Sequence, residues 1–301
     1  MGKDTLKSKG AKAFIFAIAA VLCWSTIGSA TKLSLGHVSY IQLLLYASLT
    51  AIIILLLMVL LSNRIHLLWG IKTKDLLRSA TYGFLNPFAY YMVLFKAYDL
   101  LTAQEAVVLN YTWPIALVLL SIPILGQSIG LRSIGALILS FMGIVVVMTG
   151  GSLKSLSVSD PLGATLALGS SVIWGIYWIL NLRDKREELT KLLLNFSFGF
   201  LYVLVVAIIA DELRNLSMEG WFGVIYIGTI EMALAFAFWL NALKLAPTTA
   251  KVSNLIYISP FLSLILVSIL VGEQIMLSSW AGLILIVAGI ILQQTIKTSK
   301  R

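Results

Sequence analysis

The chain is poor in charge, in cysteine and in histidine, and each shortage removes a class of function. Only 12% of its 301 residues are charged, where a soluble domain carries about a quarter. With 59% hydrophobic residues and a mean hydropathy of +0.97, most of its surface must face lipid rather than water. The single cysteine, Cys23, lies in an apolar run; it excludes an intrachain disulfide and reads as a small packed hydrophobe. The two histidines, His37 and His66, fall far apart in loops, which suggests no metal site. No Gly-x-x-x-x-Gly-Lys-Ser/Thr loop occurs, which argues against ATP-driven pumping by this chain alone. No His/Asp/Ser grouping of the kind a polytopic membrane enzyme needs is found either. The expectation is a non-enzyme without a cofactor.

What the chain does have is ten apolar runs near the roughly 20 residues that a bilayer core requires per helix. They cover 13–31, 40–61, 76–95, 103–125 and 133–150, then 162–181, 189–210, 221–243, 249–271 and 278–296. Connections are short and leave no room for a separate soluble domain. The first run follows a basic N-terminus as a signal peptide would, but nine more follow, so it reads as an uncleaved helix. The net charge of +9 does not point to nucleic acid, because the basic residues sit in the gaps between runs. With the N-terminus inside, 18 of the 22 basic residues are cytoplasmic and only Lys32, Lys96, Lys154 and Arg214 lie outside. The positive-inside rule therefore places both termini in the cytoplasm. The expected fold is all-α and integral to the membrane, with ten transmembrane helices.

The sequence also repeats itself. Leu109-Asn110-Tyr111-Thr112-Trp113-Pro114 is followed by Gly126-Gln127 and Gly143, and Leu255-Ile256-Tyr257-Ile258-Ser259-Pro260 by Gly272-Glu273 and Gly289. From proline to first glycine is 12 residues in both copies, and to the second 29. Upstream, Trp24 and Trp174 hold similar places in the first helix of each half. The stretch 150–161 is the natural seam, giving one five-helix repeat over 1–150 and a second over 151–301. Five is odd, so the second copy enters the membrane from the opposite side. Inverted repeats of this kind place a shared cavity near the midplane and support alternating access.

At these residues the chain resembles the drug/metabolite transporter superfamily, in its ten-helix, two-repeat EamA-type branch, with bacterial aromatic amino acid exporters nearest in likeness. The resemblance rests on Val21 through Thr26, on Glu105 through Pro114, and on Ile173-Trp174-Gly175-Ile176-Tyr177. Ala235 through Trp239 and Tyr257 through Pro260 extend it. It implies export of a small metabolite. Glu231, in the eighth span, departs from the pattern of the aromatic amino acid exporters.

Glu231 is also the costliest residue in any span, because a charge at that depth carries a penalty of about 2.5–3.5 kcal/mol. It reads either as a proton-coupling or cation-binding group, or as a neutral carboxyl hydrogen-bonded to a neighbouring helix. In the fourth span Asn110, Trp113 and Pro114 share a face. Pro114 deprives the Asn110 carbonyl of its usual donor. Ser253, Tyr257 and Pro260 repeat the arrangement, so Pro114 and Pro260 read as matched hinges or as packing kinks. The sixth span aligns Ser171, Trp174, Trp178 and Asn181, with Tyr177 beside them. Trp24, Trp113 and Trp174 lie too deep to be interface anchors, the role left to Trp69, Trp221 and Trp280. They read as aromatic walls or as ordinary packing. Tyr90, Tyr91 and Asn86 are secondary candidates. Glu105 reads as part of an outer charge cluster with Lys96 and Asp99, or as a group that favours its helix N-terminus. Lys251 reads as a snorkelling anchor.

Together these features predict a secondary transporter of the inner or plasma membrane that exports amphipathic solutes, above all aromatic or apolar amino acids. The substrate-binding residues would be Trp24, Asn110, Trp113, Trp174, Tyr177, Trp178 and Tyr257. Protons are a candidate coupling partner, lipid is the solvent, and a monomer suffices although nothing fixes the oligomeric state. The alternatives are a multidrug or quaternary-cation exporter of the same superfamily, a non-transporting scaffold and a membrane enzyme.

Overall fold

A computed structural model of the chain describes residues 2–125, 127–128, 131–152, 158–245, 254–295 and 299–300. Gly126, residues 153–157 of the seam (Lys154 among them), Lys251 and Ser253 lie outside the described residues. In hydrocarbon a backbone must satisfy its own hydrogen bonds, so apolar runs of this length become helices. Among the described residues, six helical stretches are long and apolar enough to cross a membrane: Gly10–Leu35, Tyr40–Leu61, Ala103–Ile124, Pro161–Asn181, Glu188–Ile209 and Met218–Leu245. Ile134–Thr149, Leu255–Val271 and Leu277–Leu292 are shorter apolar helices. The third span, Thr73–Gly83 and Tyr90–Leu100 around the turn Phe84–Ala89, brings the spans to ten. The fold is thus all-α and membrane-embedded. One short antiparallel pairing, Gln127–Ser128 with Ser299–Lys300, lies outside the spans.

Helix starts are set by short polar side chains. Ser39 and Thr102 form capping boxes with Gln42 and Glu105, and Asp160 caps the sixth span just before Pro161. The second, fifth, sixth, seventh and tenth spans run unbroken. The first breaks at Thr26, the third at Asn86 and the fourth at Tyr111–Thr112, while the eighth carries a wide π turn at Ile227–Leu234. The described part of the ninth begins with a tight turn, Asn254–Ile258, and closes with a π turn, Val267–Val271.

Two compact units follow from the packing, and each mixes both sequence halves. One holds Met1–Phe84 with Arg186–Leu266, the other Leu85–Lys185 with Val267–Arg301. In the first unit the first span packs on the eighth and ninth, and the second on the seventh and eighth. In the other, the sixth span packs on the third and fourth, and the fifth on the tenth. The sixth span therefore has the neighbours in its unit that the first has in its own.

Charge ties the span ends of the first unit. Arg64 pairs with Glu187, and Arg186 Nη1 donates to Ser79 Oγ at 2.7 Å and to Asp75 O at 2.9 Å. Burial pushes the Glu187 carboxyl up, but hydrogen bonds from Thr190 and the Arg64 charge outweigh it and hold the group below the usual carboxylate range.

Gly83 and Gly228 are among the glycines that let spans approach closely. A Cβ on Gly83 would stand 2.3 Å from Asn195 O, and one on Gly228 would stand 2.4 Å from Ala47 O and 2.6 Å from Thr50 Cβ. Gly169 has nothing within 4 Å of that position. Gly228→Ala should destabilise the protein by about 1–3 kcal/mol through overpacking. Gly169→Ala should instead stabilise it, by up to about 1 kcal/mol of helix propensity. Thermal unfolding in detergent should separate them by sign, and a rise for both would contradict the close packing.

Candidate functional site

In the unit that begins at Leu85, the break in the fourth span organises a polar and aromatic cluster. Helix Ala103–Asn110 stops at Tyr111–Thr112 and a second helix, Trp113–Leu125, begins. The expectation put the bend at Pro114; instead the break precedes the proline, which is the second residue of the new helix. Proline suits a helix start because its missing N–H has no intrahelical acceptor there. Trp113 opens this helix and is half-buried. The exposed backbone is satisfied by hydroxyls: Ser171 Oγ of the sixth span donates to Asn110 O at 2.8 Å, and Thr112 Oγ1 to Leu109 O at 2.7 Å. The Asn110 amide is used on both sides, Nδ2 donating to Ser170 Oγ at 2.9 Å and Oδ1 accepting from Tyr90 OH at 3.3 Å.

Aromatic rings continue the cluster. Tyr90 stacks on Trp174 at 4.4 Å and 27°, and Trp174 stacks on Tyr177 at 5.7 Å. Trp178 meets Trp174 edge-on at 5.8 Å. Asn110, Trp174, Tyr177 and Trp178 are therefore brought together, and Tyr90, ranked behind the tryptophans from sequence, stands between Asn110 and Trp174. One turn before Tyr90 is Asn86, with φ −147° and ψ 118° inside an otherwise helical stretch. Its side chain is 0% exposed and neither amide atom has a hydrogen-bond partner. Such a group costs about 1–3 kcal/mol while unmet.

The other unit repeats the plan with different residues. Trp24 packs edge-on against Phe236 at 5.9 Å and Trp239 at 5.5 Å. Thr26, at the first-span break, accepts from Tyr226 OH at 2.8 Å. Ser25 Oγ lies 3.2 Å from Ser259 Oγ. Pro260 is again the second residue of a helix, Ser259–Leu266, and Tyr257 is buried in the tight turn before it. Glu231 is 6% exposed and sits within the π turn, three residues after Gly228. Asn86 stands three residues after Gly83. Gly83-Phe84-Leu85-Asn86 and Gly228-Thr229-Ile230-Glu231 thus occupy the same place in the two copies, with an amide in one and a carboxyl in the other.

Glu105 takes the second of the two roles expected of it, at its helix N-terminus. It does not join Lys96 and Asp99, which pair with each other at 2.7 Å. It is 4% exposed, closes the capping box with Thr102, and accepts from Ser159 N at 2.9 Å and Ser159 Oγ at 2.6 Å. The capping-box spacing Thr102-x-x-Glu105 was the sequence signal for this role. Among the described residues, no three His, Cys, Asp or Glu side chains gather as a metal ion would require.

Known proteins sharpen the picture. The profile of the EamA-like transporter family matches residues 11–149 and, a second time, 161–293. The uncharacterized transporter YvbV of Bacillus subtilis (strain 168) is 28% identical over 177 residues, covering 57% of this chain and 56% of that protein. The chain thus spans just over half the length of YvbV. The uncharacterized transporter YxxF of the same organism is 21% identical over 228 residues, 73% of this chain and 70% of its own. An uncharacterized transporter of Archaeoglobus fulgidus is 23% identical over 167 residues, 54% of this chain and 57% of its own. A solved crystal structure with 20% identity covers 94% of this chain and 98% of its own with a TM-score of 0.67, a likeness of fold alone.

Ser171 is the residue on which the fourth-span break depends. Ser171→Ala should leave the half-buried Asn110 carbonyl short of its donor and cost about 1 kcal/mol, whereas Ser171→Thr should retain most of the stability. Unfolding temperatures in detergent test this, and a Ser171→Ala protein as stable as wild type would exclude the role.

Proposed function

The chain belongs to the EamA-like transporter family, and from that premise we propose that it is a secondary active transporter of the inner or plasma membrane exporting aromatic or apolar amino acids by alternating access. The observation that carries the substrate class is the cluster of the buried Tyr90, Trp174 and Tyr177 with the half-buried Asn110, which joins stacked rings to an uncharged amide. Aromatic faces bind flat apolar bodies, and amides and hydroxyls orient a polar head. Trp24, Trp113, Trp178 and Tyr257 complete the proposed set. The repeat units are 1–150 and 151–301, inverted, with cytoplasmic termini. The helix breaks before Pro114 and Pro260 serve as bending points, since backbone there is already free of the i→i−4 ladder.

Glu231 is the proposed proton-coupling group: it is buried mid-span, on a π turn of the same span whose Phe236 and Trp239 pack against Trp24. A buried carboxyl on a span that carries these rings favours a second reading, export of lipophilic or quaternary cations. A proteoliposome flux screen over amino acids and tetraphenylphosphonium, with and without a proton gradient, separates the two. Under the coupling proposal Glu231→Gln abolishes gradient-driven accumulation while leaving solute exchange intact. Accumulation with wild-type pH dependence in that variant would remove Glu231 from the coupling step.

A further inference from the structure

Asn86 shares the φ and ψ of a capping residue without its bonding. Its φ of −147° and ψ of 118° match those of Asp160, at −149° and 121°, and both residues precede a proline, through a cis bond at Asn86-Pro87 and a trans bond at Asp160-Pro161. Asp160 does what that geometry and residue type favour: its Oδ1 accepts from Gly163 N at 2.7 Å. Asn86 caps nothing. Its Oδ1 and Nδ2 are both buried and unmet, near the middle of a membrane span. A leucine there would carry no such penalty, and buried polar groups left idle in a folded protein call for an occupant. The Asn110 amide, bonded on both sides nearby, shows that this unit can satisfy such a group from its own residues.

We propose that the Asn86 carboxamide binds the zwitterionic head of an α-amino acid, Nδ2 donating to the carboxylate and Oδ1 accepting from the ammonium. This rests on the amino acid reading of the same cluster. The chemistry fits on both sides: the free amide offers one donor face and one acceptor face, as the head requires. It also stands at the start of the helical segment leading to Tyr90, where peptide dipoles favour an anion. Tyr90, one turn on, begins the stack with Trp174 beside which the apolar side chain lies. A quaternary ammonium has no hydrogen to give Oδ1 and no acceptor for Nδ2, so it would leave the amide unmet. A site built on a hydrogen bond discriminates strongly against ligands that lack the partner.

The experiment is competition on purified protein in proteoliposomes, with L-phenylalanine counterflow as the signal and phenethylamine, which lacks the carboxylate, as competitor. The preference ratio is independent of how much protein is folded. Wild type should prefer phenylalanine by about 10- to 100-fold, the worth of one or two hydrogen bonds to a charged group. Asn86→Leu should lose that preference while its unfolding temperature holds or rises, the opposite of what loss of a structural contact does. Asn86→Asp, similar in size but without the donor, should prefer phenethylamine. A wild-type preference for phenylalanine in either variant overturns the proposal and leaves a trapped water as the occupant. Should wild type itself move tetraphenylphosphonium but neither L-phenylalanine nor L-leucine, the amino acid reading fails first and this one with it.

Discussion

Everything in this fold answers to one constraint: inside lipid, each backbone N–H and C=O must find a partner within the protein. An unbroken helix meets the demand alone, and half of the spans do so. The broken ones need help, and hydroxyls supply it at short range. At the fourth-span break Ser171 and Thr112 serve Asn110 O and Leu109 O at 2.8 and 2.7 Å. At the first-span break Ser25 and Thr26 serve Val21 O and Cys23 O at 2.6 and 2.7 Å. At these two breaks another span, or a neighbouring serine or threonine, stands in for the missing ladder bond. The aromatic residues gather at these same places, so the polar groups that repair the backbone come to lie among the rings.

The second organising fact is duplication with substitution. Trp24 meets ring residues of the eighth span, and Trp174 meets a ring residue of the third. Gly83 lets the third span approach the seventh, and Gly228 lets the eighth approach the second. Such matched contacts need both halves, which is why neither compact unit coincides with a sequence half. Packing residues are retained between copies because a Cβ at either glycine would strike backbone. Residues that do not carry packing are free to diverge, and the divergence of Asn86 from Glu231 gives the two copies different chemistry on one frame.

Much of this was legible in the sequence, and the remainder was hidden for identifiable reasons. Apolar length gave the spans well: 40–61 is Tyr40–Leu61 as observed, and 103–125 covers both parts of the fourth. Proline marked the breaks at Pro114 and Pro260, but two or three residues late, because proline starts a helix more easily than it sits within one. The π turn at Glu231 left no trace, since a one-residue widening alters neither composition nor periodicity enough to read. Asn86 ranks only as a secondary candidate from sequence because a lone asparagine in an apolar run says nothing of its partners, and its idleness is a property of packing. Glu105 was half legible: a role at its helix N-terminus was one of two readings, and Thr102-x-x-Glu105 before an apolar run is the cap signature that selects it.

The ends of the spans follow the same rule of shared frame and altered chemistry. The Glu273 carboxylate accepts from Ala103 N at 2.7 Å and from Gln104 N at 3.1 Å, and so caps the first turn of the fourth span from the loop after the ninth. Gln104 fastens the contact in turn, its Oε1 accepting from Met276 N and Ser279 Oγ, both at 2.9 Å. A carboxylate at a helix N-terminus gains from the dipole as well as from the hydrogen bonds, about 0.3–1 kcal/mol beyond a neutral group. The first copy carries Gln127 where the second carries Glu273. An amide can accept a hydrogen bond but brings no charge to a helix end. The duplication thus keeps the glycine and changes the residue after it, so the charge that caps the fourth span comes from a position where the other copy has none.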